Sequence, residues 1–214
     1  YVVKKCVDDE FVISDEEFNE KLIALENKKE FKILYLSNFI EDKGYKEVLQ
    51  LAKLVKEKND NRFKFIFAGK FFNESDKNEF FEYIDNNNLN SIVSYRGIID
   101  GNDKLNTLKE SDFFILLTRY KNEGQPISII EAAANGLKII STNHTGIGDI
   151  LANNYMIYVD KNNIELQKIL IDIDENYKNR SSFIDCIIES RKNTLNNFSE
   201  SNYLNELEKI FNMI

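Results

Sequence analysis

The sequence predicts an α/β fold, a doubly wound parallel sheet of about six strands with helices on both faces, and three observations carry that reading. Short, nearly continuous apolar runs alternate with longer polar segments of helical period. Within the runs, apolar residues do not alternate with polar ones as they do in half-solvated antiparallel strands, so the runs suit strands covered on both faces. The single proline, Pro126, interrupts none of them, and most of the eight glycines fall where a strand or helix ends.

Taken in order, the opening stretch YVVKKCVDDEF is strand-like and begins with Tyr1 rather than Met, in mid-pattern, which suggests a piece of something longer. In SDEEFNEKLIAL, Ser14 and Glu17 have the spacing of a capping box and predict a helix running to about Lys28. Strands are expected over residues 31–37 (FKILYLS), 63–69 (FKFIFAG), 91–97 (SIVSYRG), 112–118 (DFFILLT), 137–142 (LKIIST) and 155–160 (YMIYVD). The segments YKEVLQLAKLVKEK, ESDKNEFFEYIDNN, NDKLNTLKE, the stretch after Pro126 and GIGDILANN read as the intervening helices. Helical patterns then continue to the end, where Phe198, Tyr203, Leu204, Leu207, Ile210, Phe211 and Ile214 form an apolar stripe that suits a helix packed on a core. In the common doubly wound order, the first and fourth strands are neighbours at the switch point where ligands bind. The loops to inspect are then SNFIEDKG and TRYKNEGQ.

Composition narrows the function classes. With 43% hydrophobic and 12% aromatic residues, the chain can bury a substantial core and is most simply one globular domain. Its 28 basic and 36 acidic residues give a formal charge of −8, which speaks against a general nucleic-acid or anionic-membrane surface. Any anionic ligand must therefore be held locally. Cys6 and Cys186 form no metal-like cluster, and no apolar run is long enough to span a bilayer, so a cytoplasmic protein without resident metal is expected. No G-x-G-x-x-G follows the first strand, so a dinucleotide fingerprint is absent.

The stretch NEGQPISIIEAAANG carries the chemistry. Proline suits the first position of a helix, so Pro126 marks a helix start. The backbone N–H groups of Ile127 and Ser128, with those of Gly124 and Gln125, then face a positive dipole end, which suits phosphate. Gly124 allows a ligand to approach the backbone closely. From Pro126 to Glu131 the helix rises by roughly 7 Å, and Glu123 lies on the other side of the anion position, so the two carboxylates flank it. Such separation does not suit a pair sharing one proton. It suits a nucleoside diphosphate sugar, with Glu131 accepting from a ribose diol, the helix end holding the diphosphate and Glu123 meeting the sugar. A glutamate near a helix start also favours the dipole whatever its function, and a loop glutamate is ordinarily solvated.

With these residues in view, EGQPISIIEAAANG resembles the E-x7-E motif of retaining GT-B glycosyltransferases, in the large family that includes bacterial polysaccharide and lipopolysaccharide transferases. YLSNFIEDKG resembles that family's first donor-domain loop, and YRG, SDFFILLT and NHTGIGDI resemble later landmarks in the same order. The resemblance implies a Rossmann-like donor domain, the C-terminal half of a two-domain enzyme whose N-terminal half binds an acceptor glycan or lipid-linked glycan. It divides the chain into an interdomain segment and leading helix (1–30), a nucleotide-sugar-binding domain (31–195) and a C-terminal helix (196–214) whose core is expected to lie partly in the other half.

By the same resemblance, Glu123 is the catalytic residue that contacts the transferred sugar, and Glu131 contacts the ribose. Ser37, Asn38 and Lys43 belong to the diphosphate loop, and backbone around Gly97 and Ile98 meets the base of a UDP- or GDP-linked donor. No cofactor or metal is implied, because helix dipole and lysine charge take the place of Mg²⁺. The full-length protein is expected to work at the inner face of the membrane in surface polysaccharide or glycoconjugate synthesis, with the isolated fragment inactive. The sequence departs from the family pattern at Ser37 and Asn38, where Gly-Arg is frequent, so one phosphate-binding cation is missing. Thr145 and Gly148 replace the more usual glycine and proline, and Arg119 has no assigned role. His144, the only histidine, reads as a structural loop residue and is not placed among the catalytic groups. The competing readings are a nucleotide- or phosphosugar-binding module without chemistry and a purely structural interaction domain of the same fold.

Overall fold

The computed structural model describes residues 5–151 and 154–212. Its strands are β1 (Phe31–Leu36), β2 (Phe63–Ala68), β3 (Val93–Tyr95), β4 (Phe113–Leu116), β5 (Lys138–Thr142) and β6 (Met156–Val159), in the order β3-β2-β1-β4-β5-β6. All pairs are parallel, with Phe31 opposite Phe63, Ile33 opposite Phe113 and Phe113 opposite Lys138. The fold is the α/β Rossmann-like sheet that the apolar runs predict, with β1 and β4 adjacent at the switch point.

The strand order, with the crossovers of ordinary hand, places α2 (Tyr45–Glu57) and α3 (Glu74–Asn86) on one face, and α4 (Gly101–Glu110) and α5 (Ile127–Ala134) on the other. After β6, α6 (Leu166–Lys178) packs on α2, and α7 (Arg180–Phe198) packs on α5. The leading helix α1 (Asp15–Asn27) carries the expected capping box, Ser14 accepting from the Glu17 amide while the Glu17 carboxylate accepts from the Ser14 amide. Asn135 fastens the segment before it, Oδ1 accepting from Ile13 N at 2.9 Å and Nδ2 donating to Phe11 O at 2.6 Å.

Aromatic packing sets the position of the ligand-end loops. Phe39, 1% exposed, stacks on Phe71 at 3.9 Å and meets Tyr45 and Phe80 at 5.2 and 5.3 Å. That cluster ties the loop after β1 to the loop after β2. Two glycines make the approach possible. Gly69 has φ +140°, and a Cβ there would fall 1.9 Å from Ser37 O; Gly44 has φ +81°, and its Cβ would fall 2.4 Å from Leu117 O.

Four expectations change. The opening strand is not formed in its described part: residues 5–8 lack regular structure, a 3-10 turn follows at Asp9–Phe11, and residues 1–4 lie outside the described residues. The run 91–97 shortens to three paired residues because a 3-10 turn, Leu89–Ser91, leads into it and Gly97 leaves it at φ +73°. GIGDILANN is a 3-10 turn over Thr145–Asp149, entered through Thr145 at φ 49°, with residues 152–153 outside the described part. The final apolar stripe is split by extended Ser199 (ψ 155°), which caps α8 (Glu200–Phe211) and breaks the helical register. Phe198 is buried on the α7 side, whereas Leu204 and Phe211 are 55% and 71% exposed and Ile214 lies outside the described residues.

Candidate functional site

An open cleft of about 540 Å³ lies beyond the carboxyl ends of the strands. Of the residues singled out in the sequence, Ser37, Asn38, Ile98, Ile127, Ser128 and Glu131 line it. Backbone bonds join its rim: Gly69 N donates to Gly97 O at 2.8 Å, Phe39 N to Lys70 O at 2.9 Å, and Arg119 N to Asp42 O at 2.6 Å. These links join the four strand-end loops after β1, β2, β3 and β4.

Pro126 occupies the cap position rather than the first helical turn, because its ψ of 118° is still extended and the helix starts at Ile127. Its carbonyl accepts from Ile129 N at 3.1 Å, which leaves the amides of Ile127 and Ser128 ahead of the first bonded donor. The helix start is thus shifted by one residue, with the Ile127 and Ser128 amides still at its N-terminus. Gln125, beside that end, accepts from Lys5 N at 3.3 Å through Oε1. Gly124 carries no Cβ neighbours and is exposed, leaving its backbone open to a ligand.

Glu123 and Glu131 do not pair with each other, and each has its own lysine. Lys43 Nζ stands 2.6 Å from Glu123 Oε2 and 5.1 Å from the centre of the Tyr120 ring, while Thr118 Oγ1 donates to the same carboxylate oxygen at 3.2 Å. Lys104 Nζ stands 2.6 Å from Glu131 Oε1 and 4.0 Å from the centre of the Phe11 ring. Glu131 is 4% exposed; burial pushes its carboxyl above the usual range, against the pull of Lys104.

Lys104 and Lys70, both in the cleft wall, are not singled out by the sequence. Each reads locally as an ordinary surface lysine, and only the long-range pairing of Lys104 with Glu131 reveals otherwise. Arg119 acquires a partner, Glu47 Oε1 at 2.5 Å, and so braces the loop after β4 against α2. His144 bridges two loops: Nδ1 accepts from Lys161 Nζ at 3.1 Å, which assigns Nε2 as the donor to Tyr120 O at 2.9 Å. Among the described residues, no group of three or more His, Cys, Asp and Glu side chains could hold a metal ion.

The family model of glycosyl transferases group 1 matches residues 16–189. The chain belongs to that family. Its structure is similar to a glycosyltransferase from Rickettsia africae ESF-5, at 22% identity and a TM-score of 0.76 over 99% of this chain and 56% of that one. It is similar to Anabaena Alr3699/HepE solved with UDP and glucose, at 12% identity and TM-score 0.78 over 98% and 56% of the two chains. Sucrose-phosphate synthase from Thermosynechococcus elongatus matches at 12% identity and TM-score 0.80, over 100% of this chain and 52% of that one. A comparison with curated proteins returned no match. The chain spans about half the length of these solved glycosyltransferases, and the half it spans has their sheet. Within the glycosyl transferase group 1 chain, the stretch from Glu123 to Glu131 runs from the loop after β4 into α5, with Glu123 before the helix start and Glu131 after it. Among the described residues, no helix is long and apolar enough to cross a membrane.

Proposed function

We propose that the chain is the donor-binding, C-terminal half of a retaining glycosyltransferase that takes a UDP- or GDP-linked sugar. The observation that carries this reading is the arrangement around α5: two carboxylates, each held by its own lysine, flank open amides at a helix N-terminus beside the switch-point cleft. The base lies along Gly97 and Ile98, the ribose meets Glu131, and the diphosphate faces the amides of Ile127 and Ser128 with Ser37, Asn38 and Lys43. As the sugar–phosphate bond breaks, negative charge grows on the departing diphosphate, and those amides and the Lys43 ammonium meet it without a resident metal or other cofactor. Glu123 meets the sugar after releasing Lys43.

Anabaena HepE, solved with UDP and glucose, supports a uridine donor. The remaining wall of the cleft and the acceptor site belong to an N-terminal half, which takes a glycan or lipid-linked glycan for surface polysaccharide or glycoconjugate synthesis at the cytoplasmic side of a membrane. The isolated chain therefore binds nucleotide and transfers no sugar.

Titration calorimetry with UDP, GDP and ADP, beside a transfer assay on the same chain, tests this. Binding of one nucleoside diphosphate without transfer is expected. Absence of binding by the folded chain removes the donor-site reading, and robust transfer by the chain alone removes the two-half reading. Binding here, followed by no turnover in the complete protein, would identify a nucleotide-binding module without chemistry.

A further inference from the structure

We propose that Lys104 and Glu131 together read the ribose of the donor nucleotide, Glu131 accepting from one hydroxyl and Lys104 donating to the oxygen of the other; the proposal rests on the donor-site reading above. Lys104 sits in the first turn of α4, a different element from the motif helix, yet both side chains line the same cleft. Their contact is short, 2.6 Å, and their side chains are 16% and 5% exposed. Among the described residues, Lys104 donates only to Glu131 Oε1, and Glu131 Oε2 accepts from no protein group. The pair thus presents an unused acceptor and unused ammonium donors to the cleft.

A vicinal diol complements that combination. Each hydroxyl can donate one hydrogen bond and accept others, whereas a carboxylate alone supplies only acceptors. With Oε1 occupied by Lys104, Oε2 accepts a hydrogen bond from one hydroxyl, and a remaining N–H of Lys104 donates to the second oxygen. The ammonium is steered by the Phe11 face 4.0 Å away, which restricts its approach to the cleft side. A buried ion pair adds little to folding over apolar packing of equal volume, so stability alone does not account for this one. Ile98 and Ile127, 71% and 44% exposed on the same wall, leave apolar surface for the base beside the polar pair.

The test is calorimetry of the chain with UDP and GDP and with their 2′-deoxy and 3′-deoxy forms. Wild type, Lys104→Met and Lys104→Arg are compared, with thermal denaturation as the check on folding. In wild type each deoxy form is expected to bind about tenfold more weakly, the scale of a charge-assisted hydrogen bond. In Lys104→Met the parent nucleotide weakens by about tenfold. One of the two deoxy penalties then shrinks to within about twofold, while the other, carried by Glu131, persists. Lys104→Arg recovers part of the lost affinity and part of the lost discrimination.

Two deoxy penalties of undiminished size in Lys104→Met overturn the proposal, since Lys104 would then only clamp Glu131. Unchanged affinity for the parent nucleotide overturns it as well. Should Lys104→Met not fold, Lys104→Gln carries the same readout with a shorter, uncharged donor. Failure of wild type to bind any nucleoside diphosphate strikes the donor-site reading itself, and is thereby distinguished from failure of the ribose assignment.

Discussion

The two ends of the sheet offer a contrast in how buried charge is used. At the amino end lies the larger cavity, about 930 Å³, lined by Lys21, Lys28, Lys32, Lys109 and Glu110 among others. Its deepest charges are consumed by the fold. Lys21 Nζ donates to Ser111 O at 2.7 Å, Asn135 O at 3.0 Å and Leu108 O at 3.5 Å, while fully buried Asp112 accepts from Lys28 Nζ and Lys32 N at 2.7 Å each. At the carboxyl end, about 540 Å³ of cleft is lined by Glu131, which Lys104 holds in place, and by Ile127 and Ser128, whose amides lie ahead of the first helical bond, with the Lys43–Glu123 pair before the helix start. Cavity size therefore does not locate the site. Hydrogen-bonding capacity left over at Glu131 and at the α5 amides is what makes the carboxyl-end cleft the candidate.

The contrast predicts stability effects at one end and ligand effects at the other. The largest belongs to Asp112, which holds α1, through Lys28, and the start of β1, through the Lys32 amide, at the entry to β4. Burial pushes its carboxyl above the usual range despite Lys28 and Lys21, so the contact is a costly one held in place by its partners. Asp112→Ala should lower stability by about 3 kcal/mol or more, the range for breaking a buried pair, measured by urea denaturation. Nucleotide affinity of the fraction that stays folded should not change. A selective loss of nucleotide binding would erase the division between the ends.

Lys21 comes next, and its effect depends on pH. Burial pulls its ammonium from 10.5 down to about 7. Between those values the unfolded chain holds a proton that the folded chain has released, so wild-type stability rises with pH from about 7 toward 10.5; below about 7 both states are protonated and the burial penalty is full. Lys21→Met removes the hydrogen bonds to three carbonyls, which should cost about 1–3 kcal/mol at pH 7. The gap from wild type should widen by pH 9. Parallel stability profiles for the two proteins would show that the proton stays on Lys21 throughout.

These predictions also mark what could be read in the sequence. The six apolar runs, the Ser14 capping box and the glycine-punctuated turns specify the sheet because each rests on local periodicity or local hydrogen bonding. The errors lie where tertiary contacts or one backbone angle decide: the cap position of Pro126, the 3-10 turn at Thr145–Asp149, and the split at Ser199. Glu123 and Glu131 are legible because their spacing is set by one helix start. Lys104 is not, because it reaches Glu131 across 27 residues from another helix, and nothing in NDKLNTLKE distinguishes it from a solvated lysine. The same limit hides Lys21, whose partners are backbone carbonyls far along the chain, and Asp112, which pairs with the distant Lys28 ammonium and Lys32 amide.

At the carboxyl end, Glu131→Gln should leave the melting temperature near that of wild type, since it also relieves a buried carboxylate of its desolvation cost. It should weaken UDP or GDP by about 1–3 kcal/mol in calorimetry, the range for a lost charged hydrogen bond. Equal affinity for wild type and variant would detach the ribose from this carboxylate.

The smallest effect on bare nucleotide belongs to Glu123. Its carboxylate is held by Lys43 and Thr118 before the α5 start, and the proposed site gives it contact with the sugar and none with base, ribose or diphosphate. Glu123→Gln releases Lys43 from its partner, and a freed ammonium favours the diphosphate if it changes anything. Affinity for UDP or GDP should therefore stay within about threefold of wild type, on the scale of one partly exposed ion pair, with any shift toward tighter binding. Turnover in the complete enzyme should nevertheless fall by roughly tenfold or more, because the lost contact is one made to the sugar as its bond to phosphate breaks. Calorimetry on the chain and donor turnover in the complete enzyme separate these effects. If Glu123→Gln weakens the bare nucleotide as strongly as Glu131→Gln, the carboxylates share one subsite, and the division of the cleft into a sugar side and a ribose side on either side of the α5 N-terminus is lost.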